Sequence, residues 1–563
     1  MSPIIGILNK NGKDISDQVN YMMNACYNQD AEGSWVIADR TRYEWNGYNK
    51  AQSLVTNQAL GQVSFATRNK TLEQPPVNYR DKLCLIFEGN LYNLKELRSN
   101  LLPDHQLTVG SIADVVIQTI EEKCDGNDLE TALIDVMGAL DGDYCLVLGD
   151  SSKTMVARDI VGTRPVFYAE NSESVAFASK KKALWGIGLR DVKPLRAGRL
   201  ASFSKKGVMI KKILSLSKVK RDVTADSLDD VVDNYGTLLY AAVEKRLRNL
   251  ERVGCLISGG VDSCLITKFV ADIAAKRGIK VIAYTAGVDG STDVTYAEHF
   301  THELGLEHKV RRLSQDEINS YIPLLVKTVE ERDMVQIEAG IGVYAALDMA
   351  SQDGIKVIFS GQGPDELWGG YSWYPQVITT EGYDGLERRM LDDLGRADIE
   401  TLDRENKIAM AHSMEVVFPF IDTEIVKLAM SIPPQLKISS AKDKLGKHPH
   451  RMLAYKMGVA AEYAYRSKDA AQHGTGIHDT FDGIARKNGF TPRLVESIGY
   501  HSEEISPEKL ASSSRYGYRY GEKSLWEIPD HIQFFLDVTA YDHNLLNDAE
   551  RTRIKSFLKK MRV

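Results

Sequence analysis

The sequence has little of what marks secreted, metal-binding or membrane-spanning proteins. It contains six cysteines in 563 residues, none spaced as CxxC, and they are Cys26, Cys84, Cys124, Cys145, Cys255 and Cys264. Because most of them lie in apolar segments, we expect buried thiols in a reducing compartment rather than disulfides or zinc ligands. The first residues lack the basic start and apolar core of a signal peptide, and no apolar run approaches the length of about 18 residues that a membrane helix needs. We therefore expect a cytoplasmic protein.

An excess of basic charge is also absent. The chain has a net charge of −7, whereas proteins that bind nucleic acid or membrane surfaces usually carry a basic patch or stripe. The one basic stretch, residues 205–221, is interpreted as a solvated linker. With 43% hydrophobic and 26% charged residues, the composition is that of a folded globular protein. We expect small-molecule partners, no nucleic acid and no membrane, while a homodimer is left open.

The pattern of apolar residues changes near residue 205. Before that point, short β-branched and aromatic runs alternate with turns and a few helical stretches, which predicts an α+β sandwich over residues 1–205. After a linker at 206–225, strands alternate with helices over residues 226–490. This alternation predicts an α/β fold with a doubly wound parallel sheet and a helical C-terminal part. Residues 491–563 are interpreted as a C-terminal extension.

The segment CLISGGVDSC (255–264) ends a predicted buried strand and begins a predicted helix. Free N–H groups at a helix start attract anions, and glycines let phosphate oxygens approach the main chain. The loop lacks the lysine of the GxxxxGK[ST] motif. It carries Asp262 instead, a carboxylate that suits a bound polyphosphate when Mg²⁺ lies between them, while Ser258 and Ser263 can donate to phosphate oxygens. The alternative is a Gly-Gly turn in which Asp262 caps the helix.

A second glycine-rich turn, SGQGPDELWGGY (360–371), follows another predicted strand. The C-terminal ends of parallel strands share one edge of a sheet, where ligands bind. Asp262 and Asp365 are therefore predicted to hold one Mg²⁺ across a triphosphate. The alternative is a Gly-Pro turn in which Asp365 caps the next helix.

These two motifs, together with RENKIAMAHSMEVVFPFID (404–422) and RSKDAAQHGTGI (466–477), resemble successive blocks of the asparagine synthetase family. EGNLYN (88–93) and ARDIVGTRPVFY (157–168) are similar to that family's class II glutaminase domain. The resemblance implies an Ntn-like first domain, an adenine nucleotide α-hydrolase-like sheet in the second, and the cofactors ATP and Mg²⁺. It also implies a ligase: a carboxylate, aspartate by default, attacks the α-phosphate of ATP, pyrophosphate leaves, and an amine displaces AMP to form an amide.

The resemblance implies roles for individual residues as well. Lys468, Glu415 and Lys447 match family positions associated with catalysis, and Lys468 matches the lysine that stabilises the adenylation transition state. The residues implied around the nucleotide are Leu256, Ser258, Gly259, Gly260, Asp262, Ser263, Ser360 and Gly361. Asp262 and Asp365 are the implied metal ligands.

The first domain departs from the family pattern. The chain starts Met1-Ser2-Pro3 where the family has a cysteine nucleophile, and a serine hydroxyl is a poorer nucleophile than a thiol. Glu88 replaces an amide of the oxyanion hole, where a carboxylate would repel a developing anion. Arg68 matches the position that binds the glutamine carboxylate. We therefore expect that this domain does not hydrolyse glutamine and that ammonia or another amine supplies the nitrogen.

The second domain departs at two positions. Gln362 replaces a family glutamate, and Glu338 stands where asparagine synthetases carry an arginine. The change from a cationic to an anionic lining suggests a substrate that bears an amine. Three alternatives stay open: ring closure within one substrate, as in β-lactam synthetases; a catalytically silent scaffold; and a nucleic-acid-modifying member of the same ATP-loop superfamily, which the acidic charge disfavours.

Overall fold

The computed structural model describes residues 2–28, 30–31, 33–39, 41–45, 55–65, 76–80, 82–101, 111–124, 128–150, 152–216, 227–467, 471–502, 519–520, 523–524 and 528–561. The chain forms two compact units. The first comprises Met1–Lys220, Arg248–Leu250 and Thr401–Glu415, and the second comprises Arg221–Leu247, Glu251–Glu400 and Val416–Val563. The domain boundaries drawn from the sequence stay a prediction.

Two antiparallel sheets form the centre of the first unit. Its strands are β1 (Ile4–Asn9), β2 (Gly33–Ala38), β3 (Thr41–Glu44), β4 (Gln58–Ser64), β5 (Val77–Tyr79), β6 (Leu83–Leu91), β7 (Gly142–Gly149), β8 (Thr154–Arg158), β9 (Phe167–Glu170), β10 (Ser174–Ala178), β11 (Lys193–Pro194), β12 (Arg199–Ser204) and β13 (Gly207–Lys212). Its helices are α1 (Ser16–Cys26), α2 (Leu94–Asn100), α3 (Ile112–Lys123), α4 (Leu129–Ala139), α5 (Lys181–Trp185) and, from a later segment, α14 (Leu402–Ala411). The strand orders are β11-β9-β10-β1-β4-β2-β3 and β13-β12-β8-β7-β6-β5.

Apolar side chains on the inner faces of these sheets pack against each other. Ile4 and Leu8 of β1 share a buried cluster with Val147 of β7 and Phe203 of β12. Helices α1 and α5 cover the outer face of the first sheet, and α3 and α4 cover that of the second. Burial of both faces of each sheet is the usual solution for layered α+β folds. The predicted α+β sandwich is confirmed.

The second unit contains a five-stranded sheet surrounded by helices. Its strands are β14 (Arg252–Leu256), β15 (Lys280–Gly287), β16 (Glu307–Arg312), β17 (Val357–Phe359) and β18 (Glu415–Val417). Glu415, the first residue of β18, is assigned to the first unit. Its helices are α6 (Leu228–Arg246), α7 (Val261–Arg277), α8 (Thr292–Glu303), α9 (Gln315–Val329), α10 (Met334–Gln352), α11 (Pro364–Trp368), α12 (Tyr374–Leu394), α13 (Ala397–Glu400), α15 (Thr423–Ser431), α16 (Pro434–Lys437), α17 (His448–Lys456), α18 (Ala461–Ala464), α19 (Ala471–Gly474), α20 (Phe481–Lys487), α21 (Pro492–Ile498), α22 (Asp530–Asp542) and α23 (Asp548–Lys560). A small ribbon pairs β19 (Arg519–Tyr520) with β20 (Lys523–Ser524).

The order of strands in this sheet is β16-β15-β14-β17-β18. β14 pairs in parallel with β15 on one side and with β17 on the other. β15 and β16 therefore follow β14 on one side of it, and β17 then pairs with β14 on its opposite side. Connections diverge at the carboxyl ends of β14 and β17, which is where open α/β sheets bind ligands. This topology confirms the predicted parallel, doubly wound fold.

The last two described helices dock onto the second unit. Asp537 of α22 accepts a hydrogen bond from Arg332 Nε at 2.8 Å and another from the Tyr500 hydroxyl at 2.9 Å. Because both partners of Asp537 lie far away in sequence, these bonds fix the C-terminal helices to the body of the unit. Among the described residues, no helix has the combined length and apolarity that a membrane span requires.

Candidate active site

A tight loop links β14 to α7 at the carboxyl edge of the parallel sheet. The Ser263 hydroxyl oxygen accepts from the Ser258 backbone N–H at 3.1 Å and donates to the Gly260 carbonyl at 3.0 Å, so the loop is closed on itself. Gly260 is the N-cap of α7 and has no side chain with which to satisfy the first N–H groups of the helix. Helix starts of this kind attract anions, and phosphate binding at this loop stays a prediction.

The two glycines of the loop have different structural tasks. Gly259 has φ +69°, and a Cβ atom there would lie 2.3 Å from Tyr296 Cβ and 2.8 Å from the Ala297 backbone nitrogen. Gly260 has φ −78°, and its nearest neighbour would be the Ser258 hydroxyl at 3.5 Å. The backbone of the loop therefore requires a glycine at position 259, whereas a side chain at position 260 would clash with none of its neighbours.

Alanine substitutions will separate these tasks. We expect G259A to lower the free energy of unfolding by about 2 kcal/mol or more, because the new methyl group meets backbone atoms at a positive φ. We expect G260A to change it by less than about 1 kcal/mol, since its methyl group meets only the Ser258 hydroxyl, at an ordinary van der Waals distance. Urea unfolding of the full-length chain measures both. Equal destabilisation by the two substitutions would contradict the assignment.

The second glycine-rich turn lies directly against the first. A Cβ atom on Gly361 would approach the Ser263 backbone nitrogen at 3.1 Å and the Asp262 carbonyl carbon at 3.2 Å, so only a glycine allows this contact without displacement. Ser360, at the end of β17, is buried and donates its N–H to the Val417 carbonyl at 3.0 Å. The structure thus brings together the two motifs that the sequence places about 100 residues apart.

Asp262 and Asp365 converge on the same cationic group. The Lys447 ammonium nitrogen lies 2.6 Å from Asp262 Oδ2 and 2.7 Å from Asp365 Oδ1. Lys447 is 1% exposed and has a left-handed backbone with φ +55°. Burial acts to lower the pKa of Lys447, but the two carboxylates outweigh it and the net shift is upward, so the lysine stays charged. The predicted metal ligands therefore face one common cation position.

Arg466 links the SGGVDS loop to α8. Its guanidinium donates to the Ser258 carbonyl at 3.2 Å and to Asp293 Oδ1 at 3.0 Å, and it lies 4.2 Å from the centre of the Tyr296 ring. These contacts hold the loop backbone against the helix that also crowds Gly259. No sequence pattern singled out Arg466, although it is the first residue of the RSKD motif. Lys468, the predicted transition-state lysine of that motif, lies outside the described residues.

Glu338 is a buried carboxyl group on α10. It is 1% exposed, and His478 Nδ1 lies 3.0 Å from its Oε2. Burial, with smaller contributions from Asp333 and Asp479, raises the pKa of Glu338 to about 8. The predicted role of Glu338 in selecting an amine-bearing substrate stays a prediction.

The raised pKa of Glu338 predicts a pH-dependent stability difference. The folded protein retains this proton up to about pH 8, whereas the unfolded chain loses it near its ordinary value of 4.5. Rising pH therefore favours the unfolded state across this window, and E338Q lacks the effect. The difference in the free energy of unfolding between E338Q and the parent is measured at pH 5 and at pH 8.5. We expect it to shift in favour of E338Q by about 2 to 4 kcal/mol from the lower to the higher pH. Urea unfolding at both pH values measures this, and a pH-independent difference would contradict it.

In the first unit, Arg164 lies between two buried glutamates. Its Nη2 donates to Glu415 Oε1 at 2.9 Å, and its Nε lies 3.6 Å from Glu88 Oε2. Asn90 donates to the same oxygen of Glu415, and the Ser2 backbone N–H donates to Glu88 Oε1 at 3.0 Å. Burial opposes the charge of Arg164, but Glu88 and Glu415 outweigh it and raise its pKa. Glu415, assigned to catalysis by its motif, is thus part of a buried ion network, and its catalytic role stays a prediction.

The sequence matches two protein-family models and several named relatives. The family model described as "Asparagine synthase" matches residues 234–381 and 375–528, and the model described as "Glutamine amidotransferase domain" matches residues 63–186. The chain is 29% identical over 547 residues to a Methanocaldococcus jannaschii protein named putative asparagine synthetase (glutamine-hydrolyzing) 1, covering 88% of this chain and 98% of that protein. It is 25% identical over 502 residues to the Escherichia coli asparagine synthetase B (glutamine-hydrolyzing), covering 86% of each.

The glycine-rich loop at the edge of the parallel sheet and the matches over most of the chain define an ATP-dependent amide ligase. The family model for the second unit covers more than half of the chain. The chain belongs to the asparagine synthetase family. The comparisons do not favour a ring-closing ligase or a silent scaffold.

The expectation that the first domain does not hydrolyse glutamine is contradicted. The amidotransferase model matches this domain, and the relatives that match the whole chain are named glutamine-hydrolyzing. The Glu88 carboxylate is not an uncompensated anion, because the Arg164 guanidinium lies 3.6 Å from it. Arg68, the predicted ligand of the glutamine carboxylate, lies outside the described residues.

Proposed function

We propose that this ligase converts aspartate to asparagine with ATP, releasing AMP and pyrophosphate. The substrate carboxylate attacks the α-phosphate, the bond to the β-phosphate breaks, and pyrophosphate leaves. The nitrogen of an amine then attacks the acyl-adenylate, and AMP departs with the bonding electrons. The observation that carries the proposal is the convergence of Asp262 and Asp365 on one cation position beside the SGGVDS loop.

Asp262 and Asp365 would hold Mg²⁺ in this proposal. The donor set fits the ion, because Mg²⁺ binds few carboxylates and takes its other ligands from phosphates and water. When bound, the ion neutralises charge on the phosphates. The N–H groups at the start of α7 would hold the outer phosphates, and Lys447 would add a second positive charge beside the departing pyrophosphate. Lys468 would stabilise the charge that develops at the α-phosphate.

Glutamine is the nitrogen donor in this proposal. The names of the relatives state that they hydrolyse glutamine, and the amidotransferase match over residues 63–186 supports the same capacity here. Ser2 would lie at the position of the nucleophile. Ammonia supplied directly from solution is the alternative that experiment must separate.

Substrate-dependent ATP–pyrophosphate exchange tests the ligase step. We expect the full-length protein with Mg²⁺ to show exchange that depends on aspartate, in a panel that includes glutamate, β-amino acids and diamino acids. We expect glutamine to support asparagine formation, measured by mass spectrometry, with release of glutamate.

Three outcomes would contradict parts of the proposal separately. Exchange with another amino acid but not with aspartate would overturn the substrate. Amide formation with ammonia but not with glutamine would overturn the donor and leave the ligase intact. Absence of ATP binding would overturn the proposed reaction as a whole.

A further inference from the structure

A buried histidine lies behind one of the two aspartates at the common cation position. His450, on α17, is 0% exposed, and its Nε2 lies 3.0 Å from Asp262 Oδ1. Its other ring nitrogen, Nδ1, lies 2.9 Å from the Tyr235 hydroxyl oxygen. Neither residue was singled out by any motif in the sequence.

The hydrogen-bonding capacities of these groups fix their roles. His450 Nε2 makes a close polar contact with Asp262 Oδ1 at 3.0 Å without the geometry of a hydrogen bond; because an ionised carboxylate can only accept, this contact favours the proton on Nε2. In a neutral ring Nδ1 is then an acceptor, which the Tyr235 hydroxyl can serve as donor. Tyr235 and Asp262 thus contact opposite ring nitrogens of His450.

The surroundings leave His450 little freedom to rotate. The Phe420 ring packs edge-on against the imidazole, with ring centres 5.2 Å apart. The Tyr235 ring packs against Trp368 with centres 4.5 Å apart, and both residues are fully buried. His450 therefore contacts Asp262 Oδ1 from a tightly packed side of the core. The Lys447 nitrogen lies 2.8 Å from Oδ1 and 2.6 Å from Oδ2, so both oxygens of Asp262 face the cation position.

We propose that His450, oriented by Tyr235, is a positioning residue that holds the Asp262 carboxylate at the common cation position, where it would bind the divalent ion of the nucleotide. This inference rests on the proposed function, because it assumes that Asp262 binds that ion. Partners behind a metal ligand restrict its orientation, and their loss typically lowers metal affinity by about 10- to 100-fold. A histidine that only fills space in the core would have no such effect.

Binding of Mn²⁺ to the full-length protein with α,β-methylene-ATP tests the inference without turnover. The free-ion signal in electron paramagnetic resonance reports the affinity. We expect His450→Leu to weaken Mn²⁺ binding about tenfold or more, and His450→Gln, whose amide can still donate to Asp262, to recover most of the loss. Tyr235→Phe removes one hydroxyl and is expected to weaken binding about threefold, which keeps the test decisive if His450→Leu does not fold.

His531 provides the matched control. It is also buried and also contacts an aspartate, with Nε2 2.8 Å from Asp482 Oδ1, but it lies in the C-terminal helices. We expect His531→Leu to lower the unfolding temperature without changing Mn²⁺ affinity. Equal affinities for the parent and His450→Leu, or equal losses in His450→Leu and His450→Gln, would overturn the inference. If the parent binds no Mn²⁺ with the nucleotide, the proposed function fails as well.

Discussion

Replacing Asp262 by asparagine will lower ATP–pyrophosphate exchange by about 10³-fold. The substitution keeps the size of the side chain but removes one of the two negative charges at the common cation position. It leaves Lys447 with Asp365 as its remaining aspartate partner there. Loss of one preorganised electrostatic group in a catalytic site typically costs about 10²- to 10³-fold in rate, and loss of an ion ligand adds to this. Exchange assays at saturating ATP and Mg²⁺ measure the effect.

Asp272 supplies the control on the same helix. Its side chain is 39% exposed and pairs with Lys268 one turn earlier, so D272N alters charge on α7 at a surface position. We expect D272N to retain the parent's exchange rate, because exposed ion pairs contribute little. Retention of more than a tenth of the exchange in D262N would contradict the proposed role of Asp262.

Replacing Arg164 by methionine will destabilise the protein by about 3 to 5 kcal/mol. The substitution keeps much of the side-chain volume but leaves Glu88 and Glu415 buried without the cation between them. Removal of one member of a buried ion network costs about this much, because the remaining charges stay desolvated. Urea unfolding of the full-length chain, followed by tryptophan fluorescence, measures the loss.

Two further variants give this prediction its control. Lys13 pairs with Glu173 on the surface, where both side chains are more than half exposed, and K13M is expected to cost less than about 0.5 kcal/mol. The double substitution R164M/E88Q is expected to recover part of the loss, since it removes one of the two stranded charges. A loss below about 1 kcal/mol in R164M would contradict the account of the network.

Local sequence patterns predicted the two folds and the position of the SGGVDS turn between a strand and a helix for a clear physical reason. Strand periodicity, turn residues and the glycines of SGGVDS act over a few neighbouring residues, and the alternation of strands and helices determines that β14 and β17 share one edge of the sheet. The pairing of Asp262 with Asp365 follows from that edge. These parts of the site could therefore be derived before any coordinates.

The remaining parts depend on contacts between distant segments. Arg466 reaches the Ser258 carbonyl across 208 positions, and Arg164 reaches Glu415 across 251. No periodicity in the sequence encodes such a pair, and a buried histidine such as His450 has no local signature that separates it from an ordinary core residue. The incorrect expectation about glutamine hydrolysis arose in the same way, because the partner of Glu88 is not adjacent to it in sequence.

Lys447 gives the ligand-free enzyme its own counter-ion. Two carboxylates that face each other without a cation repel, and many sites of that kind need a bound metal to stay ordered. Here an internal ammonium group, held by a left-handed turn of the main chain, already separates the two acids. The charges of the two acids are therefore compensated within the chain itself, and we expect chelating agents to leave the stability of the pocket unchanged.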